Sequence, residues 1–138
     1  MLVVPQGGNI ALLELLRASW AAAKPVLVLY RNDVSPSLTS TLADFEPSTF
    51  PGAIPHNLDF GAAAIDATDH AYLEASILTY VSLADPVEPE RVFGCYVTDS
   101  TGLILLWAER FPRRLWIRKA GQEFSILPKF GALSEFTG

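Results

Sequence analysis

The sequence predicts a mainly β protein, a β-sandwich or a jelly-roll-like barrel with one N-terminal α-helix. Several short apolar stretches are separated by breaks rich in Gly and Pro, which is typical of strands and turns in all-β domains. One stretch near the N-terminus has helical spacing instead. The chain has 138 residues, the length of one ordinary domain, so we expect a single β-rich domain over 1–138.

The helix is predicted over residues 9–23. Asn9 is a good N-cap, and Pro25 ends the helix. The apolar stripe at helical spacing consists of Ile10, Leu13, Leu16 and Trp20. Leu12 and Leu15 widen this stripe. We expect the helix to pack on a sheet, and its wide apolar face suits a second contact with a partner subunit.

A strand and a long loop follow the helix. Val26–Tyr30 is short and rich in β-branched and aromatic residues, which predicts a buried strand. Residues 31–55 are rich in Ser, Thr, Asp, Asn and Pro, and the prolines prevent continuous regular structure. We predict an extended loop pinned by Phe45 and Phe50, with a short helical turn near 41–44.

The second half of the chain predicts the remaining strands. Residues 56–67 and 71–83 are assigned as strands, and the more apolar face of the second consists of Leu73, Ala75, Ile77, Thr79 and Val81. A hairpin spans 91–111 and ends at 111–114. A short strand is expected over 115–118 and the last strand over 122–130. Residues 131–138 are predicted to be a loose tail.

The second arm of the hairpin is apolar on both faces. Alternation places Leu103, Leu105 and Trp107 on one face and Ile104, Leu106 and Ala108 on the other. One face is expected to pack on the core of the domain, and the other to meet the helix or an adjacent subunit. The predicted assembly interface consists of Leu12, Leu15, Trp20, Leu103, Leu105 and Trp107.

Composition favours a protein whose surface is partly covered by other chains. Charged residues make up 18% of the chain and hydrophobic residues 50%, whereas ordinary domains carry about 25% charged residues. The net charge of −5 argues against nucleic acid as a partner, because such binding needs clustered cations. No apolar run approaches the ~20 residues that span a bilayer, so we expect no membrane partner. A single cysteine, Cys95, excludes an intramolecular disulfide and fits a reducing cytoplasm.

The reactive residues form no coherent catalytic pattern. Asp66, Asp69 and His70 could donate ligands to a metal, but a polar turn that hydrogen-bonds its own backbone is the preferred explanation. Cys95 has no adjacent His or Lys to form a thiolate, and no nucleophile-elbow motif is present. We therefore expect no catalytic residues, no cofactor and no metal, and a protein that is not an enzyme. A small hydrolase that uses spare carboxylates and His70 is the weakest alternative.

Two stretches, VLYRNDVSPSLTSTLADFEPSTFPG at 28–52 and VFGCYVTDSTGLILLWAERF at 92–111, resemble a known family. It consists of small, mostly uncharacterised proteins of tailed bacteriophages and related environmental viruses. The first stretch matches the family pattern at Leu29, Tyr30, Asn32, Pro36, Ala43, Asp44, Phe45, Phe50 and Gly52. The hairpin matches it at Gly94, Tyr96, Val97, Thr98, Asp99, Gly102, Leu106, Trp107, Ala108, Glu109, Arg110 and Phe111.

This resemblance implies a virion structural protein, either a capsid decoration or cement protein or another head-associated component. The implied partners are other copies of the chain and a major capsid or tail protein. The implied location is the virion, after assembly in the host cytoplasm. The alternative is a tail or tail-fibre component that binds a glycan or receptor, with Arg113, Arg114 and Trp116 as candidate ligand or partner contacts.

Overall fold

The structure is a computed structural model that describes residues 2–137. The helix α1 spans Gln6–Ala22. The strands are β1 Val26–Tyr30, β2 His56–Asn57, β3 Ala64–Ile65, β4 Ala71–Glu74, β5 Leu78–Val81, β6 Glu90–Thr98, β7 Leu105–Ile117, β8 Glu123–Leu127, β9 Lys129–Phe130 and β10 Glu135–Thr137. The predicted mainly β class with one N-terminal helix is confirmed.

The strands form three antiparallel sheets. The first sheet has the order β2-β1-β6-β7, the second β10-β8-β5 and the third β3-β4-β9. Side chains of the first and second sheets pack against each other, which is the arrangement of a β-sandwich. The barrel alternative is wrong, because the described strands form three separate sheets rather than one closed sheet.

The main core lies between the first two sheets. Its buried residues are Leu27, Leu29, Phe50, Leu58, Ala75, Tyr80, Val92, Cys95, Val97, Phe111, Ile117, Phe124 and Ile126. Tyr80 and Phe124 stack with their ring centroids 5.1 Å apart. Cys95 is 1% exposed and packs as a small hydrophobic side chain, and burial raises the pKa of its thiol.

The loop over residues 31–55 covers the opposite face of the first sheet. The cluster on that face consists of Tyr30, Phe45, Phe93 and Tyr96. Phe45 lies 5.0 Å from Tyr30 and 5.2 Å from Tyr96 between ring centroids. Phe50 instead enters the main core. The two phenylalanines therefore pin the loop as predicted, and they do so on opposite faces of the sheet. A 3-10 helix at Leu42–Asp44 confirms the short helical turn.

The helix begins earlier than predicted and ends at Ala22 rather than at residue 23. Pro5 is its N-cap, without a side-chain hydrogen bond. The assignment of Asn9 as the N-cap is wrong, because its N–H donates to the Pro5 carbonyl at 3.0 Å and closes the first helical turn. Proline is compatible with this position, since the first N–H groups of a helix have no intrahelical partner.

The predicted strand over 56–67 is wrong, because only the two-residue strands β2 and β3 form there. Between them, Leu58 N–H donates to the Pro25 carbonyl and Gly61 N–H to the Glu74 carbonyl, each at 2.9 Å. These bonds satisfy the backbone without a continuous ladder. Their partners lie far away in sequence, which residue alternation alone does not reveal.

The predicted strand over 71–83 is divided between two sheets as β4 and β5. At the corner, Ala75 N–H donates to the Pro128 carbonyl at 2.8 Å and Ser76 N–H to the Asp59 carbonyl at 2.9 Å. The corner changes which residues face inward. Ile77, predicted on the apolar face, is 63% exposed, whereas Tyr80 is 1% exposed.

The hairpin extends beyond the predicted range of 91–111. Its second strand, β7, continues past Pro112 and includes the separately predicted strand over 115–118. The pairing skips from Arg110, opposite Gly94, to Leu115. Pro112 lies in the bulge between them, where its missing N–H removes no ladder hydrogen bond.

The last strand and the tail also differ from the prediction. Pro128 separates β8 from β9, and these two strands lie in different sheets. The tail over 131–138 is not loose along its whole length, because β10 pairs with β8. Phe136 anchors it by stacking on Phe111 with ring centroids 4.5 Å apart. Residue 138 lies outside the described residues.

Candidate assembly surface

The hairpin tip presents two exposed aliphatic side chains, Leu103 (78%) and Ile104 (58%). The Asp99 carboxylate accepts a hydrogen bond from the Thr101 hydroxyl at 2.8 Å. It also accepts bonds from the backbone N–H groups of Leu103 at 3.2 Å and Ile104 at 3.3 Å. Gly102 has φ of 74°, a conformation that favours glycine. The turn therefore holds both side chains in solvent on a hydrogen-bonded backbone.

This turn predicts an acid-sensitive contribution to stability. The pKa of Asp99 lies below its ordinary value, chiefly because Thr101 donates to the carboxylate and then because of the N–H groups of Ile104, Leu103 and Gly102. A lowered pKa in the folded state stabilises the fold above the unfolded pKa of about 3.9, and this contribution is lost as the pH falls through the folded pKa. Thr101→Val should therefore reduce the loss of unfolding free energy on acidification, as measured by urea unfolding at a series of pH values. If acidification lowered the unfolding free energy of Thr101→Val by as much as that of the unmodified protein, the assignment would be contradicted.

The second arm of the hairpin does not alternate as predicted. The pairing register shifts by one residue between Trp107 and Leu105, so Leu106 is an extra residue in a β-bulge. Leu106 and Trp107 consequently both pack against the main core, while Leu105 packs with Ala108 against the cluster on the opposite face. The predicted division into two alternating faces is therefore wrong.

Trp20 and Trp107, two of the predicted interface residues, meet inside the protein itself. Their ring centroids are 5.7 Å apart. Phe60 lies 5.2 Å from Trp20, and Phe130 lies 5.2 Å from Trp107. This aromatic cluster attaches the helix to the first and third sheets. Trp20, Trp107 and Leu105 are half-buried against their own chain, whereas Leu12, Leu15 and Leu103 are exposed.

The side of α1 that faces away from Trp20 carries no charge. We call this side the outer seam, and it consists of Gly8, Ala11, Leu12, Leu15, Ala18, Ser19 and Ala22. Leu12 is 57% and Leu15 70% exposed. No residue of the helix is fully buried. A strip of exposed apolar surface therefore lies along the helix from Ala11 to Ala22.

The two charged residues of α1 interact within the protein. The Glu14 carboxylate accepts a hydrogen bond from Ala63 N–H at 2.7 Å and from Arg17 Nε at 2.8 Å. The bond from Ala63, followed by that from Arg17, lowers the pKa of Glu14. An amphipathic surface helix usually turns its charges towards solvent. Here the charges flank the inner face, and the outer seam is left uncharged.

A groove of about 750 Å³ lies beside Trp116. Trp116 is 41% exposed, and the guanidinium carbons of Arg91 and Arg118 lie 4.6 Å and 5.6 Å from its ring centre. These distances allow cation–π attraction. Arg113 and Arg114 are exposed in the β7 bulge and do not line the groove. Trp116 is thus accessible to a ligand, whereas the basic pair lies outside its groove.

The structure places the suggested metal ligands in a turn that bonds to itself. Asp66 Oδ1 accepts hydrogen bonds from the backbone N–H groups of Thr68 and His70, each at 2.9 Å. The bond from His70 is the main cause of the lowered pKa of Asp66. Within residues 2–137, no group of three or more His, Cys, Asp or Glu side chains is placed to hold a metal ion.

Two features of these surfaces are absent from the sequence predictions. The small residues of the outer seam, among them Ala11 and Ala18, extend the apolar surface of Leu12 and Leu15. Their helical spacing could have revealed this surface in the sequence. Glu90 is the other feature. Its carboxylate accepts hydrogen bonds from Thr49 N–H at 3.0 Å and from Phe50 N–H at 3.1 Å, and attaches the long loop beside the groove. A contact between residues 40 positions apart leaves no local pattern in the sequence that could predict it.

In the part of the chain that the structure describes, no helix combines the length and the hydropathy of a membrane span. Comparisons with protein-family models, with curated proteins and with solved structures find no match. The phage assignment is therefore a hypothesis based on the motifs quoted above, and the exposed apolar surfaces are the physical observations beside it.

Proposed function

We propose that this chain is a virion structural protein of a tailed bacteriophage, a capsid decoration or cement protein or another head-associated component, that acts by subunit–subunit assembly. The observation that carries the proposal is the exposure of apolar side chains on two hydrogen-bonded elements, the outer seam and the hairpin tip. The motif resemblance supplies the viral context. The partners are other copies of the chain and a major capsid or tail protein, and assembly takes place in the host cytoplasm.

The exposed aliphatic residues supply a driving force for association. Burial of apolar surface contributes roughly 25 cal/mol per Å². Leu12 and Leu15 on the seam and Leu103 and Ile104 on the tip are each more than half exposed. Covering them would contribute several kcal/mol before the entropic cost of association is subtracted. The low charged fraction of 18% leaves few groups to oppose such contacts.

Incorporation into particles tests the proposal. We expect an antibody against the chain to label purified virions, and the double variant Leu103→Asp, Ile104→Asp to be incorporated at least about tenfold less, because burying an unpaired carboxylate is costly. Leu38→Asp is the matched control, since Leu38 is fully exposed at 107% in the long loop. Immunoblots of gradient-purified particles measure both variants. Unlabelled particles, or equal incorporation of the tip and control variants, would refute the proposal.

A second candidate function is a tail or tail-fibre component that binds a glycan or receptor. The exposed Trp116 beside its groove favours this alternative, because aromatic faces and a few polar groups are typical of ligand sites. A glycan array would then show binding that Trp116→Ala abolishes and Leu38→Ala preserves. An array without binding, or binding unchanged in Trp116→Ala, would eliminate this candidate.

A further inference from the structure

We propose that the groove beside Trp116 binds a saccharide that carries a carboxylate, and that the guanidinium of Arg91 binds this carboxylate. The inference goes beyond subunit assembly. It specifies the ligand class of the second candidate function and rests on that function. Three features of the groove support it: the unpaired cations beside Trp116, the hydrogen-bonded walls, and the mixture of charged and apolar groups in the lining.

The cations beside Trp116 lack the ion pairs that cations elsewhere in the protein form. The chain has ten Lys and Arg residues. Five of them form ion pairs with carboxylates of the protein itself: Arg17, Lys24, Arg31, Arg110 and Lys129. Within residues 2–137, neither Arg91 nor Arg118 has a carboxylate within ion-pair distance. A chain with a net charge of −5 has carboxylates in excess, and yet these two guanidiniums are left available to an anionic ligand.

Trp116 orients the two guanidiniums. The guanidinium carbon of Arg91 lies 4.6 Å and that of Arg118 5.6 Å from the centre of the Trp116 ring. Arg91 is directly opposite Trp116 in the pairing of β6 with β7, so their side chains share one face of the sheet. A guanidinium presents a rigid fork that can bind both oxygens of a carboxylate at once. Stacking on the ring limits its motion before the ligand arrives, which lowers the entropic cost of binding.

The remaining walls of the groove are fixed by hydrogen bonds. Asp85 Oδ1 accepts a bond from Ala120 N–H at 2.7 Å. The Glu90 carboxylate accepts bonds from Thr49 N–H and Phe50 N–H, at 3.0 Å and 3.1 Å. Prolines also line the groove, namely Pro51, Pro86 and Pro89. Their fixed φ restricts the backbone. The groove is therefore formed before a ligand binds, as is usual for small-molecule sites.

The carboxylates in the lining favour a saccharide over other anions. Asp85 and Glu88 line the same groove as Arg91. Glu88 is exposed and forms no hydrogen bond or ion pair with the rest of residues 2–137. A nucleic acid or a run of acidic residues would bring closely spaced negative charges against these two carboxylates. A sugar acid has one carboxylate for Arg91, and its hydroxyl groups can donate hydrogen bonds to Asp85 and Glu88.

The size and the apolar part of the lining suit a small saccharide. The groove has a volume of about 750 Å³, within the range of about 300–1,000 Å³ that is typical of small-molecule sites. Trp116 is 41% exposed even with two guanidiniums beside its ring, so part of the indole is accessible to the C–H groups of a sugar. One or two sugar rings are therefore the expected occupant.

A glycan array tests the ligand class. It should pair uronate-terminated glycans with the corresponding neutral hexose-terminated glycans, so that the members of each pair differ only in the carboxylate. We expect the best-bound uronate glycan to bind at least about tenfold more tightly than its neutral counterpart, and its affinity to fall as salt is added. Equal binding of the two members, or no binding of any uronate glycan, would overturn the inference.

A matched pair of charge-removing substitutions tests the role of Arg91. Arg91→Gln should weaken the binding of the uronate glycan at least about tenfold, because the partner of the carboxylate is removed. Lys119→Gln removes the same charge from an exposed residue that does not line the groove, and it should change the affinity less than about threefold. Circular dichroism checks that both variants are folded. Equal losses in the two variants would show that only the net charge matters, and the site would be refuted.

Competition distinguishes a saccharide from other anions. A glutamate oligopeptide and a single-stranded oligonucleotide should each displace the uronate glycan at least about tenfold less effectively than the free uronate glycan does. If either of them competes equally well, the groove is a general anion site and the saccharide assignment is wrong.

The outcomes separate this inference from the functions proposed above. Binding of neutral glycans that is lost in Trp116→Ala but retained in Arg91→Gln would refute the acidic ligand and leave the second candidate function standing. An array on which no glycan binds would remove both. Neither result affects the virion proposal, which is tested by incorporation into particles.

Discussion

Replacing Trp107 with alanine should lower the free energy of unfolding by about 3 kcal/mol, in the range typical of large-to-small aromatic substitutions in a core. Trp107 packs against Trp20 at 5.7 Å and against Phe130 at 5.2 Å between ring centroids. Its removal opens a cavity and removes the ring contact between the helix and the first sheet, while Trp20 keeps its contact with Phe130 of the third sheet at 5.3 Å. Urea unfolding followed by far-ultraviolet circular dichroism measures the change.

Trp116→Ala is the matched control for this substitution. Trp116 is 41% exposed and its principal ring contacts are with Arg91 and Arg118. We expect it to cost about 1 kcal/mol or less, the scale of an exposed cation–π contact. A cost for Trp107→Ala as small as that of the control would show that the aromatic cluster does not hold the helix in place.

Gly94→Ala should be comparably destabilising, by about 3 kcal/mol, because β6 has no room for a methyl group at this position. A Cβ atom there would overlap the backbone carbonyl oxygen of Glu109 and lie 2.6 Å from the Tyr30 hydroxyl oxygen. The carbonyl belongs to the paired strand β7, and Tyr30 is fully buried with its hydroxyl bonded to the Val34 carbonyl. Neither group can move without breaking the sheet or its outer cluster.

Gly7→Ala provides the opposite expectation in the same protein. Gly7 lies in the first turn of α1, and apart from its two chain neighbours and the backbone of the helix itself no atom lies within 4 Å of the added Cβ. Alanine should therefore be neutral or stabilise by up to about 1 kcal/mol, since it restricts the unfolded chain. Thermal unfolding of the two variants side by side measures the difference. Equal melting temperatures would contradict the close packing of β6, β7 and Tyr30.

Much of the fold follows from local sequence signals. Val26–Tyr30 was predicted as a buried strand with its observed bounds, because its residues have high β propensity and a proline precedes it. The burial of Phe45 and Phe50 followed from their isolation in a polar loop. Two features that were missed depend on partners distant in sequence. The corner after Glu74 and the pairing of residues 135–137 are fixed by contacts with other strands.

The candidate surface shows the same division between local and distant signals. The sequence indicated that the apolar face of the helix is wide, because Leu12 and Leu15 lie beside its main stripe. Both side chains are exposed in the structure. Alternation failed for Leu105 and Trp107, because the β-bulge at Leu106 is set by pairing with β6. The inward placement of Trp20 depended on aromatic partners from other elements.

Sedimentation velocity of the purified chain is the most direct test of the central claim that its exposed apolar surfaces exist to bind other subunits. The concentration should range from about 1 µM to about 1 mM, which brackets the affinities of weak protein–protein contacts. We predict a weight-average sedimentation coefficient that rises with concentration for the natural sequence and stays lower for Leu15→Glu. A single monomeric boundary at every concentration would contradict the account.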